Sequence, residues 1–408
     1  MDLDVEGNAS GTPQTLISKK LQHSAVDDSK GKTKINYEGT WQDQVKDASA
    51  SDPGNSTVVG SLDSVDPLKS TTSIIPTESS SKEKEEENGD AVMGDVLQFK
   101  QFDIGDDFSD HHYGRMGFSD EKAPKNWAKR IQDEWKMLEK NLPDDSSPLP
   151  LTDSSSADTI FVRVYEVRME LLRAVMIGPA GTPYHDGLFV FDCLFPATYP
   201  SSPPMVYYYS GGLRLNPNLY DCGKVCLSLL GTWTGKPNEM WIPEKSTMLQ
   251  VLVSIQALIL NAKPFFNEPG YEKTYIGPEG ERRSLAYNEN AFILSLKTMI
   301  YTLRRPPKHF EDFVASHFRI RARNILAACK AYMEGAPVGF VEGAEDNAGG
   351  DPKSIEFKSK VDKMMNMMPG GDPKSIEFKS KLGKMMNLLV TSFTKNGSTD
   401  IEQFRLPA

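Results

Sequence analysis

Several things are scarce in this 408-residue chain, and each scarcity closes a class of function. Positive charge is short: 46 Lys and Arg stand against 56 Asp and Glu, a net charge of −10, which argues against a general nucleic-acid binder. Long apolar runs are missing. Met248 to Leu260 is the longest, too short to cross a bilayer and interrupted by Gln250 and Gln256, so no transmembrane segment is expected. The opening MDLDVEGNAS is acidic, with neither a basic nor an apolar stretch, so no secretory signal is expected. Four cysteines are too few for a disulfide framework, and neither the Cys222/Cys226 pair nor His111-His112 has a second ligand pair at metal-binding spacing. No phosphate-binding glycine loop of either common type is present. The expected setting is a reducing one, cytoplasmic and/or nuclear.

What is present falls into four parts. Residues 1–95 contain no Arg, Cys or Phe and end near the low-complexity run SSSKEKEEENGD; such a stretch buries too little apolar surface to offset its ordering entropy, and a disordered tail is expected. Lys19-Lys20 within it reads more simply as two solvated lysines than as a nuclear address. Residues 96–123 carry Phe99, Phe102, Ile104, Phe108 and Tyr113 among acids, the pattern of a strand or loop that docks on a neighbouring surface.

The globular part spans 124–335. Trp127, Ile131, Trp135, Leu138 and Leu142 lie on one helical face, and Pro143 stops the helix before a Ser/Asp/Pro-rich loop. The runs IFVRVYE, VRMELLRAVMIG, GLFVFDCLF and MVYYY, separated by turn signals, predict four strands in an antiparallel meander. A coil from Gly211 to Lys245 leads to a helix that Thr247 and Gln250 can cap, and two further apolar stripes predict helices on either side of Pro306-Pro307. Arg319, Arg321 and Arg323 on the last of these are expected to form a solvated face. The fold class is therefore α+β: an N-terminal helix, a four-stranded meander, then C-terminal helices. Residues 336–408 hold two copies of a 21-residue repeat, starting at Gly350 and Gly371. Phe357, Val361, Met364, Met365 and Met368 share one helical face, and Phe378, Leu382, Met385, Met386 and Leu389 repeat it. Two copies are too few for a solenoid, so the plain expectation is amphipathic helices that pair or dock on the core, and a Met-rich partner surface is the alternative.

The chemistry concentrates in the coil, which reads LRLNPNLYDCGKVCLSLLGTW. A long ordered connection within a domain is usually functional. Cys222 and Cys226 are left as reactive thiols or as inert packing; Cys193 and Cys329, on a strand and a helix, read as buried apolar groups. At this point an ordered series of landmarks resembles the ubiquitin-conjugating enzymes over residues 125–305: Gly178-Pro179 with Thr182-Pro183-Tyr184, Tyr199-Pro200 with Pro203-Pro204, Asn216-Pro217-Asn218, Gly223 to Cys226, and Trp241 with Pro243 before a long helix. GKVCLSLLGTW, the insertion between Trp233 and Trp241, and NEPGYE at Asn267 to Glu272 are similar to the large members that combine conjugating and ligating roles. FKQFD, DFSDHHY and RRPPKHFEDFV are similar to their plant branch.

The resemblance implies a thioester relay. Cys226 takes ubiquitin from an activating enzyme and passes it to a lysine of a protein substrate, with or without a separate ubiquitin ligase. Asn218 serves the tetrahedral intermediate directly or by ordering the loop. No cofactor is implied, because the activating enzyme upstream consumes the ATP. Three departures stand out: Asn216 replaces the family's usual His, Ser228 stands where Asp is common, and the loop KPFFNEPGYE puts Phe266 or Asn267 where many members carry an acid, with Glu268 the nearest substitute and Asp221 another nearby acid. The competing readings are a non-catalytic scaffold on the same fold, a ubiquitin-like modifier in place of ubiquitin, and a cysteine hydrolase. The last needs His185, His309 or His317 beside Cys226.

Overall fold

The computed structural model describes residues 99–117, 123–142, 159–339 and 373–407. The expected tail 1–95, the loop that follows Pro143 and the first repeat copy lie outside them.

Five strands form one sheet in the order β1 (Phe102–Gly105), β2 (Ile160–Tyr165), β3 (Leu171–Ile177), β4 (Leu188–Leu194) and β5 (Met205–Tyr208). From β2 to β5 the sheet is the antiparallel meander that the turn signals predict. The fifth strand comes from the aromatic, acidic segment: β1 adds parallel to β2, with Phe102 opposite Val162 and Gly105 opposite Tyr165. A parallel neighbour needs a long crossover, and the chain between β1 and β2, which includes helix α1 (Trp127–Asn141), supplies it.

Alternation along the strands builds two cores. Val162, Ala174 and Phe191 are cross-strand partners on the inner face, which meets Ile131 and Leu138 of α1 and Val251 and Leu252 of α2 (Met248–Ser254). Phe161, Val175 and Val190 face the other way, into a core shared with α3 (Pro278–Arg304), α4 (Glu311–Glu334) and α5 (Pro373–Lys395), the last of which packs on α3 and α4. With both faces covered, every residue of β2 and β4 is buried, which is why those strands read as apolar runs and not as an alternating pattern. The apolar face of the second repeat copy, Phe378, Leu382, Met385, Met386 and Leu389, is buried against this second core.

The outer face also holds charge. Arg173, fully buried, donates from Nε to Asp192 Oδ1 at 2.7 Å and from Nη2 to Asp192 Oδ2 at 2.9 Å, while its Nη1 reaches Asp110 Oδ1 at 2.7 Å. The histidine pair is spent on the same packing: His111 Nε2 lies 3.1 Å from the Leu172 carbonyl, and the His112 ring stacks on Tyr207. The arginine row of α4 departs from its expected solvated face. Arg321 pairs with Asp186, Arg319 donates to the Asn396 carbonyl, and only Arg323 of the three is exposed. The turn before β4 and the chain after α5 pack on that side of the helix, and they bring the acceptors.

Two features hold the elements that frame the coil. Thr247 Oγ1 accepts from Gln250 N and Gln250 Oε1 accepts from Thr247 N, the reciprocal cap the sequence predicts for α2. Glu134, buried on the apolar face of α1, accepts from Tyr199 Oη at 2.6 Å and from the Met248 backbone at 2.9 Å. Its carboxylate thus ties α1 to the first turn of α2, where a helix dipole favours negative charge. The helix that follows is shorter than the apolar stripe suggests: after seven residues of α2 the backbone widens into a π turn over Ile255–Ile259.

Candidate active site

The coil folds into a small hairpin hooked onto β5. Leu219 pairs with Val225, Tyr220 N donates to the Lys224 carbonyl, and Cys226 N donates to the Asn218 carbonyl at 2.9 Å. The turn at its tip has one steric requirement. Gly223 sits at φ +87° with the Tyr207 ring 2.1 Å from where a Cβ would stand, so no side chain fits. Leu219 and Val225 are buried in the inner core. Strand alternation then puts Asn218, Tyr220, Lys224 and Cys226 together on the opposite face.

Of the two candidate thiols, the hairpin separates them by setting. Cys222 lies exposed near the tip, and Cys226 is buried at the base beside Asn218. Burial raises the Cys226 thiol above its ordinary range; Lys224, a hydrogen bond from the Tyr220 hydroxyl and the Arg214 guanidinium work against that rise. Arg214 and Lys224 both lie over the Tyr220 ring, at 4.4 and 5.8 Å from its centroid. Tyr220 is itself raised, by burial first and then by the neighbouring Cys226, with a smaller part from Glu268. An aromatic hydroxyl between two cations and a thiol is a residue set that reading the sequence passed over. The alternation Asn218, Tyr220 against Lys224, Cys226 is the signal that points to it.

Asn218 has two attachments. Its backbone N–H donates to Asn216 Oδ1 at 2.9 Å, and its side-chain amide donates to the Cys226 carbonyl at 2.8 Å. The second hydrogen of that amide has no acceptor among the described residues. Asn216, which stands where the resemblance sets a His, is fully buried: its Nδ2 donates to Tyr184 Oη at 2.9 Å and to the Ile259 carbonyl at 2.8 Å. Tyr184 comes from the Thr182-Pro183-Tyr184 turn, so that motif supports the site from below.

Beyond Cys226 the chain makes a tight turn at Ser228–Leu230. Thr232 Oγ1 then accepts from Leu227 N and donates to the Val225 carbonyl. The insertion after it folds back, with Gly235 pressed against the Ser228 side chain, and Trp241 anchors its end through a 2.7 Å bond from Nε1 to the Pro200 carbonyl. In the loop after the π turn, Phe266 packs on Phe265, Asn267 points its amide at Asn216, and Glu268 lies on the Tyr220 side. Asp221 is exposed on the hairpin.

The histidines that a hydrolase would need are engaged elsewhere. His185 bonds Asp186 and Tyr332, His309 bonds the Asp107 backbone, and His317 bonds the Asp186 carbonyl. None acts on the Cys226 thiol.

This geometry can be set beside known proteins. A family profile described as "Ubiquitin-conjugating enzyme" matches residues 134–284, which enclose the meander, the hairpin and α2. The chain is 59% identical over 278 residues to "Probable ubiquitin-conjugating enzyme E2 25" of Arabidopsis thaliana, a match covering 67% of this chain and 43% of that protein. It is 58% identical over 247 residues to "Putative ubiquitin-conjugating enzyme E2 38" of the same plant, covering 60% of this chain and 71% of that protein. It is 40% identical over 247 residues to the human "Dual E2 ubiquitin-conjugating enzyme/E3 ubiquitin-protein ligase BIRC6", covering 58% of this chain and 5% of that much longer protein. The chain therefore spans less than half of one plant relative and about seven-tenths of another. A hairpin that presents one buried thiol beside an asparagine, on a meander with kin of this closeness, has one family to which it belongs: that of the ubiquitin-conjugating enzymes, among its plant members.

Proposed function

We propose that the protein is an active conjugating transferase, with Cys226 as the thiol that carries ubiquitin and a lysine of a protein substrate as its acceptor. The observation that carries this is the pairing at the hairpin base, where the Cys226 carbonyl accepts from the Asn218 side chain and the Asn218 carbonyl accepts from Cys226 N.

The chemistry takes two steps. The Cys226 thiol first loses its proton to solvent base. The thiolate attacks the carbonyl carbon of the thioester on a charged activating enzyme; a new C–S bond forms, the old one breaks, and the released thiolate takes up a proton. In the second step a lysine amine attacks the same carbonyl carbon. The C–N bond forms, the amine gives a proton to solvent base, and the C–S bond breaks to return Cys226 as thiolate. Attack places negative charge on the carbonyl oxygen, and the unused hydrogen of the Asn218 amide is the nearby neutral donor for it. A lysine has an ordinary pKa of about 10.4, so proton loss limits this step at neutral pH.

The partners follow from the chemistry: ubiquitin, its activating enzyme, a lysine-bearing protein, and a ligase where the substrate requires one. This chain consumes no ATP in either step.

A charging reaction tests the reading. Purified protein, activating enzyme, ubiquitin and ATP are combined and run on paired non-reducing and reducing gels. A band that reduction removes, that Cys226→Ala abolishes and that Cys222→Ala keeps is the expected result. No band from a folded protein, beside a control enzyme that charges, overturns it.

A further inference from the structure

Four asparagines form a continuous ladder of amide hydrogen bonds that ends at Cys226. Asn261 Nδ2 donates to Asn267 Oδ1 at 2.7 Å. Asn267 Nδ2 in turn lies 3.3 Å from both Asn216 Oδ1 and the Ile259 carbonyl. Asn216 Oδ1 also accepts from Asn218 N at 2.9 Å, and Asn218 Nδ2 ends the series on the Cys226 carbonyl at 2.8 Å. Asn261 and Asn267 belong to the loop after α2, and Asn216 and Asn218 to the coil before the hairpin.

The ladder has a directional logic. Asn216 is buried and its Nδ2 is already spent on Tyr184 and Ile259, so its ring-free amide is fixed with Oδ1 facing the Asn218 backbone. Asn267 supplies the second donor to that same oxygen, and both amides share the Ile259 carbonyl. That carbonyl is among the last of the helix, where backbone oxygens have no partner within the helix itself. The two side chains therefore fasten the Asn218 backbone to the end of the π turn. The place of the Asn218 side chain then depends on a residue that makes no hydrogen bond to Cys226.

We propose that Asn267 is a positioning residue for the transfer step: through Asn216 it holds Asn218 at the height from which its amide meets the carbonyl oxygen of a Cys226 thioester. The inference rests on the conjugating reading above. It also gives a reason why an amide, and not an acid, occupies this place in the loop. A carboxylate has no hydrogen to give Asn216 Oδ1, and it would set two acceptors face to face.

The test separates loading from transfer. Full-length protein is charged to completion, the activating enzyme is stopped, and discharge is followed over a series of free lysine concentrations. Asn267→Ala is expected to load at the wild-type rate within about twofold, while its maximal discharge rate falls about tenfold with an unchanged half-saturating lysine concentration, the mark of a misplaced group and not of lost acceptor binding. In an Asn218→Ala background the same substitution is expected to add nothing, because its route is gone. Wild-type discharge by Asn267→Ala overturns the inference, and so does a loss that simply multiplies with that of Asn218→Ala. Thermal melting of each variant removes misfolding from the comparison. A wild-type chain that never charges overturns the conjugating reading itself, whereas a wild-type chain that charges and discharges beside an unaffected Asn267→Ala overturns this inference alone.

Discussion

Asn218 and Cys226 hold each other by two hydrogen bonds, backbone to backbone at 2.9 Å and side chain to backbone at 2.8 Å. The asparagine is thus both a strut of the hairpin and a donor with one hydrogen to spare. Asn218→Ala removes the spare donor together with the side-chain bond to the Cys226 carbonyl, and leaves the backbone bond. Discharge to lysine is expected to fall about a hundredfold, the usual loss for one donor to an acyl oxyanion. Loading, in which two thiols of similar leaving ability exchange, is expected to fall far less. Equal losses in both steps would assign Asn218 to hairpin structure alone.

Burial lifts the Cys226 thiol above the ordinary thiol range, so the reactive thiolate is a minor species at neutral pH. The loading rate is therefore expected to rise continuously from pH 6.5 to 9. Lys224 opposes the lift, so Lys224→Ala moves the whole curve to higher pH and slows loading at pH 7. Rates measured across that range at saturating activating enzyme check the sign. A plateau below pH 8 would mean that another group holds the thiol as thiolate.

The Arg173–Asp192 pair is buried completely on both sides, with two bonds between the partners. Arg173→Met keeps the bulk and strands the carboxylate. Removing one partner of a buried pair costs about 3–5 kcal/mol, and chemical denaturation is expected to show a loss of that order. Asp192 also accepts from Tyr209 Oη and His112 N, so the loss is expected to loosen the 99–117 segment as well. An Arg173→Met/Asp192→Leu double variant that regains stability would confirm that the stranded charge, and not the lost packing, is responsible.

Helix α5 is held by apolar contact. Leu382 is fully buried at the centre of its docked face. Leu382→Ala is expected to cost about 2–5 kcal/mol if the helix unfolds together with the core. Hydrogen exchange gives the sharper result: amides of Pro373–Lys395 and of α4 are expected to lose protection together. Faster exchange in α5 alone, with α4 unchanged, would show that the helix detaches as its own unit.

Local signals made much of this architecture legible. The apolar spacing of α1, the reciprocal cap at Thr247 and the turn residues between strands each act within a few positions, and each appears where the pattern places it. The misread parts are non-local. Arg321 looks solvated on its own helix because its carboxylate partner, Asp186, is 135 residues away. Within the loop KPFFNEPGYE no local pattern names the partner of Asn267, because that partner, Asn216, is 51 residues earlier. Glu134 was readable in principle: with Trp127, Ile131 and Leu138 it completes a 4, 3, 4 spacing, and an acid on an apolar stripe asks for a buried partner. The ordered context around Cys226 marks it in the sequence as a candidate thiol; its cationic and phenolic surroundings need the hairpin to be folded.

The two repeat copies differ little along their shared face, with Val361 against Leu382 and Met368 against Leu389. They differ more at a position beside that face, where the first copy has Asp362 and the second has Gly383. A Cβ on Gly383 would stand 3.2 Å from Leu406 Cδ1 and 3.9 Å from Met333 Cε. A side chain in that register would press on Leu406, which would have to give by a few tenths of an ångström, and would touch Met333 in ordinary contact. Glycine costs a helix interior about 1 kcal/mol relative to alanine. What Gly383 gives up in helix propensity it returns as close approach: α5 lies against Met333 of α4 and Leu406 with no side chain between them.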